Sequence, residues 1–223
     1  MHQRKSKKIL TYFLLLMLIG SINNIGLNKI KFSNISNIEI LGLEEQNSNL
    51  LLKSINNLKL GNIFFINKKE IQKIIESDSL VEKYDIFKIY PSSLYINIER
   101  TKFLARISYN SINYIIGSNG KLSRTEPYRK KLPFIFGKPK VEEFLRFKEI
   151  IDMSKFDYKD IKNLYYFANE RWDLELTNKI MIKLPKKNFE NSLELAFQFL
   201  NSDEFNQIKI IDLRVNNQII LND

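Results

Sequence analysis

Tyr84–Arg100, YDIFKIYPSSLYINIER, decides the fold. Tyr84 to Tyr90 reads as a strand and Pro91-Ser92 as its turn. Ser93 to Arg100 then alternates Leu94, Ile96 and Ile98 against Tyr95, Asn97 and Glu99, the period of two that sets one strand face on a core and the other in water. The stretch is a β-hairpin. Just upstream, Asn67-Lys68-Lys69-Glu70 has the form of a capping box, and Ile71, Ile74 and Ile75 follow on one face, predicting a helix from Lys68 to about Ser77. Leu51, Ile55 and Leu58 recur at helical spacing between Ser48 and Leu58, a shorter amphipathic helix that stops before Gly61. Asn37 to Leu43 (NIEILGL) alternates Ile38 and Ile40 around Glu39 and turns near Gly42. The order strand, helix, helix, strand, strand over residues 37–101 gives a small sheet with two helices on one face, an α+β arrangement.

Beyond Arg100 the strands multiply. Phe103 to Ile107 and Tyr114 to Ile116 flank a break at Asn110-Ser111, and Gly117-Ser118-Asn119-Gly120 is a turn without the spacing of a phosphate loop. Leu132-Pro133-Phe134-Ile135-Phe136-Gly137 precedes a helix that Pro139 opens, with Val141, Phe144, Leu145 and Lys148 aligned. Tyr158 to Ala168 reads as a helix giving way to a strand. Trp172 to Thr177 alternates Trp172, Leu174 and Leu176 with polar partners and returns through Ile180 to Leu184. Asn188 to Leu200 is helical. Lys209 to Val215 places Ile211, Leu213 and Val215 on one side; Asn216-Asn217 turns the chain, and Gln218 to Leu221 closes a last hairpin. Residues 102–223 are thus expected to form a mixed, mainly antiparallel β domain with helices.

At the other end, Arg4, Lys5, Lys7 and Lys8 stand before an apolar run, Ile9 to Ile22. In lipid such a run is a helix, because only a helix satisfies its own backbone. The run is 14 residues and a span needs about 20, so an anchor at 9–27 borrows weakly polar residues as far as Leu27. Its lipid-facing residues are Ile9, Leu10, Phe13, Leu14, Leu15, Leu16, Met17, Leu18 and Ile19. A cleaved signal would show the same start but should exit through small residues, whereas Gly20-Ser21-Ile22-Asn23-Asn24 is a poor cleavage site. A buried core helix would leave the four cations unexplained. The reading adopted is a cytoplasmic tail at 1–8, the anchor, a short link at 28–36, and everything beyond on the outer side, following the positive-inside rule.

Composition narrows the function. A hydrophobic fraction of 44% and an aromatic fraction of 12% are those of a folded chain, and the absence of cysteine rules out disulfides and thiolate chemistry. The only histidine is His2, so neither a Ser-His-Asp arrangement nor the usual zinc sets can be built outside the tail. Glu44-Glu45 and Glu142-Glu143 are neighbours that diverge on any regular element, and nothing selects an acid/base pair. No enzyme, cofactor or small-molecule substrate is expected. The net charge of +10 invites a nucleic-acid reading. Four of the cations sit in the tail, however, and the rest are lysines spread among Ile and Asn, without an arginine stripe or a basic-aromatic motif.

The five-element module at 37–101 looks like a POTRA domain. Taken with the basic tail, the apolar run, Leu132-Pro133 followed by Gly137, the Arg171-Trp172-Asp173-Leu174-Glu175-Leu176 strand with its return to Pro185, and Ile211-Asp212-Leu213-Arg214, the chain resembles the bacterial cell-division family FtsQ/DivIB. The resemblance implies a single-pass inner-membrane protein, periplasmic in bulk and located at the septum. It implies a non-enzymatic scaffold whose β domain recruits the FtsB and FtsL pair, with FtsK and other divisome members as further partners. It maps partner binding onto Arg214, Val215, Asn216 and Asn217 and the terminal strand Gln218, Ile219, Ile220 and Leu221, with the return strand near Met181 beside it. Where the family often has an aromatic after Asp-Leu-Arg, this chain has Val215. Independently, a last strand near the chain end is expected at a sheet edge, where unpaired N–H and C=O groups accept a partner strand; the competing reading is a frayed terminus. A cleaved envelope-binding module or a peptidoglycan-acting enzyme is the alternative from another class.

Overall fold

The computed structural model describes residues 3–22, 34–124, 131–201, 208–215 and 218–222. The hairpin forms as its alternation dictates: β2 (Val81–Ile89) pairs antiparallel with β3 (Ser93–Arg100). β1 (Asn37–Leu41) adds to the other side of β3 in parallel, so the sheet order is β1-β3-β2. Two helices cover one face, α2 (Glu45–Asn56) and α3 (Lys68–Ser77). Leu51, Ile55, Ile71 and Ile75 meet Leu94, Ile96 and Ile98 there, all buried. At about 1.5–3 kcal/mol per fully buried aliphatic side chain, this small core is what holds the module closed. Asn67 caps α3 by accepting from the Lys69 amide at 3.2 Å. Gly42 (φ +95°) brings β1 so near β3 that a Cβ would lie 1.7 Å from the Ile98 carbonyl oxygen.

The second sheet has nine strands in the order β12-β11-β10-β9-β8-β7-β4-β5-β6. They are β4 (Phe103–Tyr109), β5 (Ile112–Gly117), β6 (Leu122–Ser123), β7 (Phe134–Phe136), β8 (Ile161–Tyr166), β9 (Trp172–Leu176), β10 (Met181–Lys183), β11 (Ile210–Asp212) and β12 (Ile220–Asn222). Pairs β4–β7, β7–β8 and β10–β11 are parallel and the others antiparallel, so the sheet is mixed and mainly antiparallel. Asn110 and Ser111 both take positive φ in the β4–β5 turn, as a tight hairpin needs. Helices α4 (Val141–Met153) and α5 (Phe189–Leu200) lie on one face. Their Phe144, Phe147, Ile151, Leu193 and Ala196 share a core with Ile135, Leu164, Trp172, Leu174, Ile182 and Ile211. Trp172 is core: it stacks on Phe147 at 4.5 Å between centroids and 9° between planes.

Three local expectations are corrected. Pro139 does not open α4; Lys140 caps it and Val141 is its first residue, with the Glu143 carboxylate accepting from the Lys140 amide. Tyr158 to Ala168 holds a single 3-10 turn at Tyr158–Asp160 before β8, because Ile161 and Leu164 pair in the sheet and leave no length for a helix. Finally, α2 begins three residues before Ser48, at Glu45.

The two sheets are joined by a tight junction. Asn119 donates through Nδ2 to the carbonyls of Ser79 (3.0 Å) and Val81 (2.8 Å). The Glu82 carboxylate accepts from Thr101 (2.9 Å) and Ser118 (2.7 Å), while Leu80, Phe103 and Ile115 bury together.

The basic-apolar segment forms α1 (Gln3–Ile22), with Ile9 to Ile19 exposed along it. Among the described residues no helix is long and apolar enough to cross a membrane. The first six residues of α1 include four cations, and the 14-residue run from Ile9 to Ile22, interrupted by Thr11, Tyr12, Gly20 and Ser21, reaches about 21 Å against a hydrocarbon core of about 30 Å. Residues 23–27, which the expected anchor also needs, lie outside the described residues.

A candidate edge for a partner strand

β11 forms because Ile211 and Leu213 insert into the core while Asp212 faces away from it. It runs parallel to β10, with Met181 opposite Ile210 and Lys183 opposite Asp212, and the Leu213 amide extends the pairing to the Lys183 carbonyl at 2.9 Å. β12 then folds back on β11, Ile211 opposite Leu221 and Asp212 opposite Ile220. Among the described residues β12 has a strand neighbour on one side only; it is the edge of the nine-stranded order.

The register makes a row across the outer face. Ile220, Asp212, Lys183 and Asp173 are cross-strand neighbours on β12, β11, β10 and β9 in turn. Both aspartates are nearly inaccessible, at 8% and 3%, and each has an arginine two positions along its own chain. Asp212 accepts from the Arg214 Nε at 2.8 Å and from its amide at 3.1 Å, and the guanidinium holds its carboxyl below the usual range. Asp173 accepts from Arg171 at 3.1 and 3.3 Å, yet burial outweighs that help and pushes its carboxyl up. Two residues further along β9, Glu175 accepts from Asn163, Lys162 and Tyr165, each at 2.8 Å. These bonds, that from Asn163 foremost, hold it down to about 2. Asp212, Asp173 and Glu175 each have a cation at hand: Arg214, Arg171 and Lys162 respectively. Among the described residues no group of His, Cys, Asp or Glu is arranged to hold a metal.

The expected site residues separate. Ile219 and Leu221 pack against the core, whereas Ile220 (48% exposed) and Val215 (49%) present apolar surface to solvent. The terminal strand is Ile220–Asn222 and not Gln218 to Leu221; Gln218 and Ile219 belong to the connection, where the Gln218 amide bonds the Val215 carbonyl at 3.2 Å. Val215 does not continue the inward alternation, because β11 ends at Asp212 and the chain leaves the sheet after Leu213. Met181 does not lie beside the terminal strand: β11 intervenes between β10 and β12. Asn216 and Asn217 lie outside the described residues.

Two features escaped the sequence reading although their signal was there. Arg171-Trp172-Asp173 and Asp212-Leu213-Arg214 each separate acid and base by two, the spacing that shares a strand face. The Asp173–Lys183–Asp212 register could not be read, because the parallel β10–β11 pairing joins segments with α5 between them.

The edges of the two sheets differ in their protection. β2 carries Glu82, Lys83, Asp85 and Lys88, β1 carries Glu39, and β6 is two residues between Lys121 and Arg124. Gln218–Asn222 carries no charge. Charged side chains are the usual guard of an edge strand, and Ile220–Asn222 itself carries none, Asp223 following it in sequence.

Comparison with known proteins gives one family throughout. Residues 105–214 match "Cell division protein FtsQ/DivIB, C-terminal", and residues 33–99 match "POTRA domain, FtsQ-type". The cell division protein FtsQ of Rickettsia bellii is 26% identical over 194 residues, covering 82% of this chain and 70% of its own. The cell division protein DivIB of Clostridium botulinum is 28% identical over 231 residues, covering 93% of this chain and 86% of its own. FtsQ of Rickettsia prowazekii is 25% identical over 189 residues, covering 82% of this chain and 70% of its own. With both halves matched by FtsQ-type descriptions and these relatives bearing the same names, the chain belongs to the FtsQ/DivIB family of cell-division proteins.

Proposed function

We propose that this cell-division protein is a non-catalytic scaffold of the division machinery that captures a partner chain by strand addition at β12. The observation that carries the reading is the uncharged stretch Gln218–Asn222 at the sheet edge, with Ile220 within it and Val215 before it both exposed. Main-chain groups on an open edge supply affinity, and alternate side chains supply selectivity. Arg214, held by Asp212, stands beside that edge and would meet an acidic partner residue. The FtsB and FtsL pair, which the family resemblance implies, is the proposed partner, with FtsK and other divisome proteins as further contacts.

The reading also includes an anchor in the inner membrane, cytoplasmic tail inside and the two β modules in the periplasm at the septum. In its support, the side chains of Ile9 to Ile19 are exposed along α1, a surface suited to lipid. Extension through Leu27 supplies the missing length.

The test is capture of the FtsB–FtsL pair by the full-length chain and by Ile220→Pro, which removes a ladder donor. Capture is expected to be lost in the variant while residues 34–101 keep their protease resistance. Wild-type capture by Ile220→Pro overturns the strand-addition reading.

A further inference from the structure

The module at 37–100 has two distinct ends. One faces the second sheet: there lie the Glu44–Arg100 ion pair, the C-terminus of α3, and Lys121 donating to the Asp78 carbonyl. At the other end lie the β2–β3 turn at Tyr90-Pro91-Ser92, the loop between α2 and α3, and the point where the described chain resumes after α1. The Ile35 amide bonds the Gly61 carbonyl (3.1 Å), the Ser36 amide bonds the Ser92 carbonyl (2.9 Å), and Asn34 bridges Asn62. Chain entry, turn and loop are therefore tied together.

That end displays apolar side chains that the core does not need. Phe65 is 82% exposed, Tyr90 57%, Ile89 52% and Phe64 48%. They are not there by looseness. Ile63, between Asn62 and Phe64, is fully buried, and the Asn62 side chain accepts from the Phe64 amide at 2.8 Å. Phe64 and Tyr90 touch ring to ring at 4.9 Å, joining the loop to the turn. The segments that form this end, residues 34–38, 58–69 and 88–93, carry Lys59, Lys68, Lys69 and Lys88; the carboxylates next to them in sequence are Glu39 and Glu70, the latter accepting from Asn67 at 3.0 Å, so cations outnumber carboxylates there.

The geometry points to a lipid contact: the Phe64–Phe65 loop and Tyr90 rest in the headgroup region of the bilayer that α1 enters, and so fix the height and tilt of the module above the membrane. The inference rests on the anchor reading. If the anchor ends at Leu27, six residues (28–33) separate it from Asn34, at most about 24 Å of extended chain from Leu27 to Asn34, so this end of the module is the part tethered nearest the lipid. Aromatic rings suit the interface, and lysines suit anionic headgroups.

The test uses the full-length chain in vesicles of phosphatidylethanolamine and phosphatidylglycerol brominated on their acyl chains. Phe65→Trp, Phe13→Trp in α1 and Met153→Trp on α4 are each compared with the parent, whose Trp172 is buried. The inference expects bromine to quench the added emission roughly two-fold or more in Phe13→Trp and Phe65→Trp, as for side chains within ~5–10 Å of the acyl boundary, and to leave Met153→Trp unchanged. Quenching in Phe13→Trp with none in Phe65→Trp overturns the lipid contact and leaves the anchor standing. No quenching in Phe13→Trp overturns the anchor and the contact with it. Equal quenching in Met153→Trp overturns the contact, since proximity would then not be particular to this end.

Discussion

Asn119 is the pin between the two sheets, and removing it is expected to loosen the whole chain. Its Nδ2 donates to the Ser79 and Val81 carbonyls, its Oδ1 accepts from the Lys121 amide at 3.0 Å, and its own amide donates to the Thr101 hydroxyl at 3.3 Å. Asn119→Ala deletes the first three and keeps the fourth. At about 1 kcal/mol net for each neutral bond, the loss is about 2–3 kcal/mol, of which about 2 kcal/mol belongs to contacts across the junction. Asn119→Asp keeps the acceptor but turns an oxygen toward two carbonyls, so at neutral pH it should cost more than alanine despite its near-identical shape. Two measurements read this out in full-length protein. Urea unfolding gives the order wild type, alanine, aspartate. Since the chain has no cysteine, spin labels at Lys53→Cys and Met153→Cys report the distance between α2 and α4, narrow in the wild type and broadened in Asn119→Ala. An unchanged distance distribution together with a stability change under about 0.5 kcal/mol would refute the reasoning that these bonds fix the junction.

The remaining predictions concern the sheets themselves. Glu175 is held down to about 2 from an ordinary 4.5, so its pairing stabilises the fold above about pH 4.5 and that stability is lost as pH falls toward 2. After allowance for solvent screening the effect is about 1–2 kcal/mol; Glu175→Gln should therefore be less stable than the wild type at pH 7 and converge with it near pH 2, as read by urea midpoints. Trp172→Ala opens a cavity against Phe147, Phe144 and Tyr166 and is expected to cost about 3–5 kcal/mol by the same assay. Gly42→Ala drives a Cβ into the Ile98 carbonyl at positive φ and should cost more than about 2 kcal/mol, measured as loss of the cooperative transition of residues 34–101.

The elements with a strong period were legible before any coordinates. Ser93–Arg100 and Lys68–Ser77 emerge with the bounds their periodicity implies, because local pattern and tertiary burial ask for the same thing, although Asn67 caps through the Lys69 amide and its Nδ2 donates to Glu70 in place of the reciprocal capping box. Tyr158 to Ala168 misled because Ile161, Leu164 and Tyr165 suit a helix as well as a strand, and only the pairing with β9 decides between them. At the candidate edge, the turn back onto β11 was legible but its length was not. Asp212 reads as the outward residue of an ordinary alternation, yet it is buried and bound by Arg214, and the chain leaves the sheet one residue after it. The resemblance sets Met181 beside the last strand, and sequence carries no sign of which strand a parallel crossover inserts between them. β11 took that place after the α5 crossover, as a parallel connection requires.

Hydrogen exchange on full-length protein, with and without saturating FtsB–FtsL pair, tests strand addition at β12 most directly. The account predicts that amides in residues 218–222 slow markedly when the partner is added, while those of the charged edge β2 do not change. Bound partner with unchanged exchange at 218–222 would contradict it.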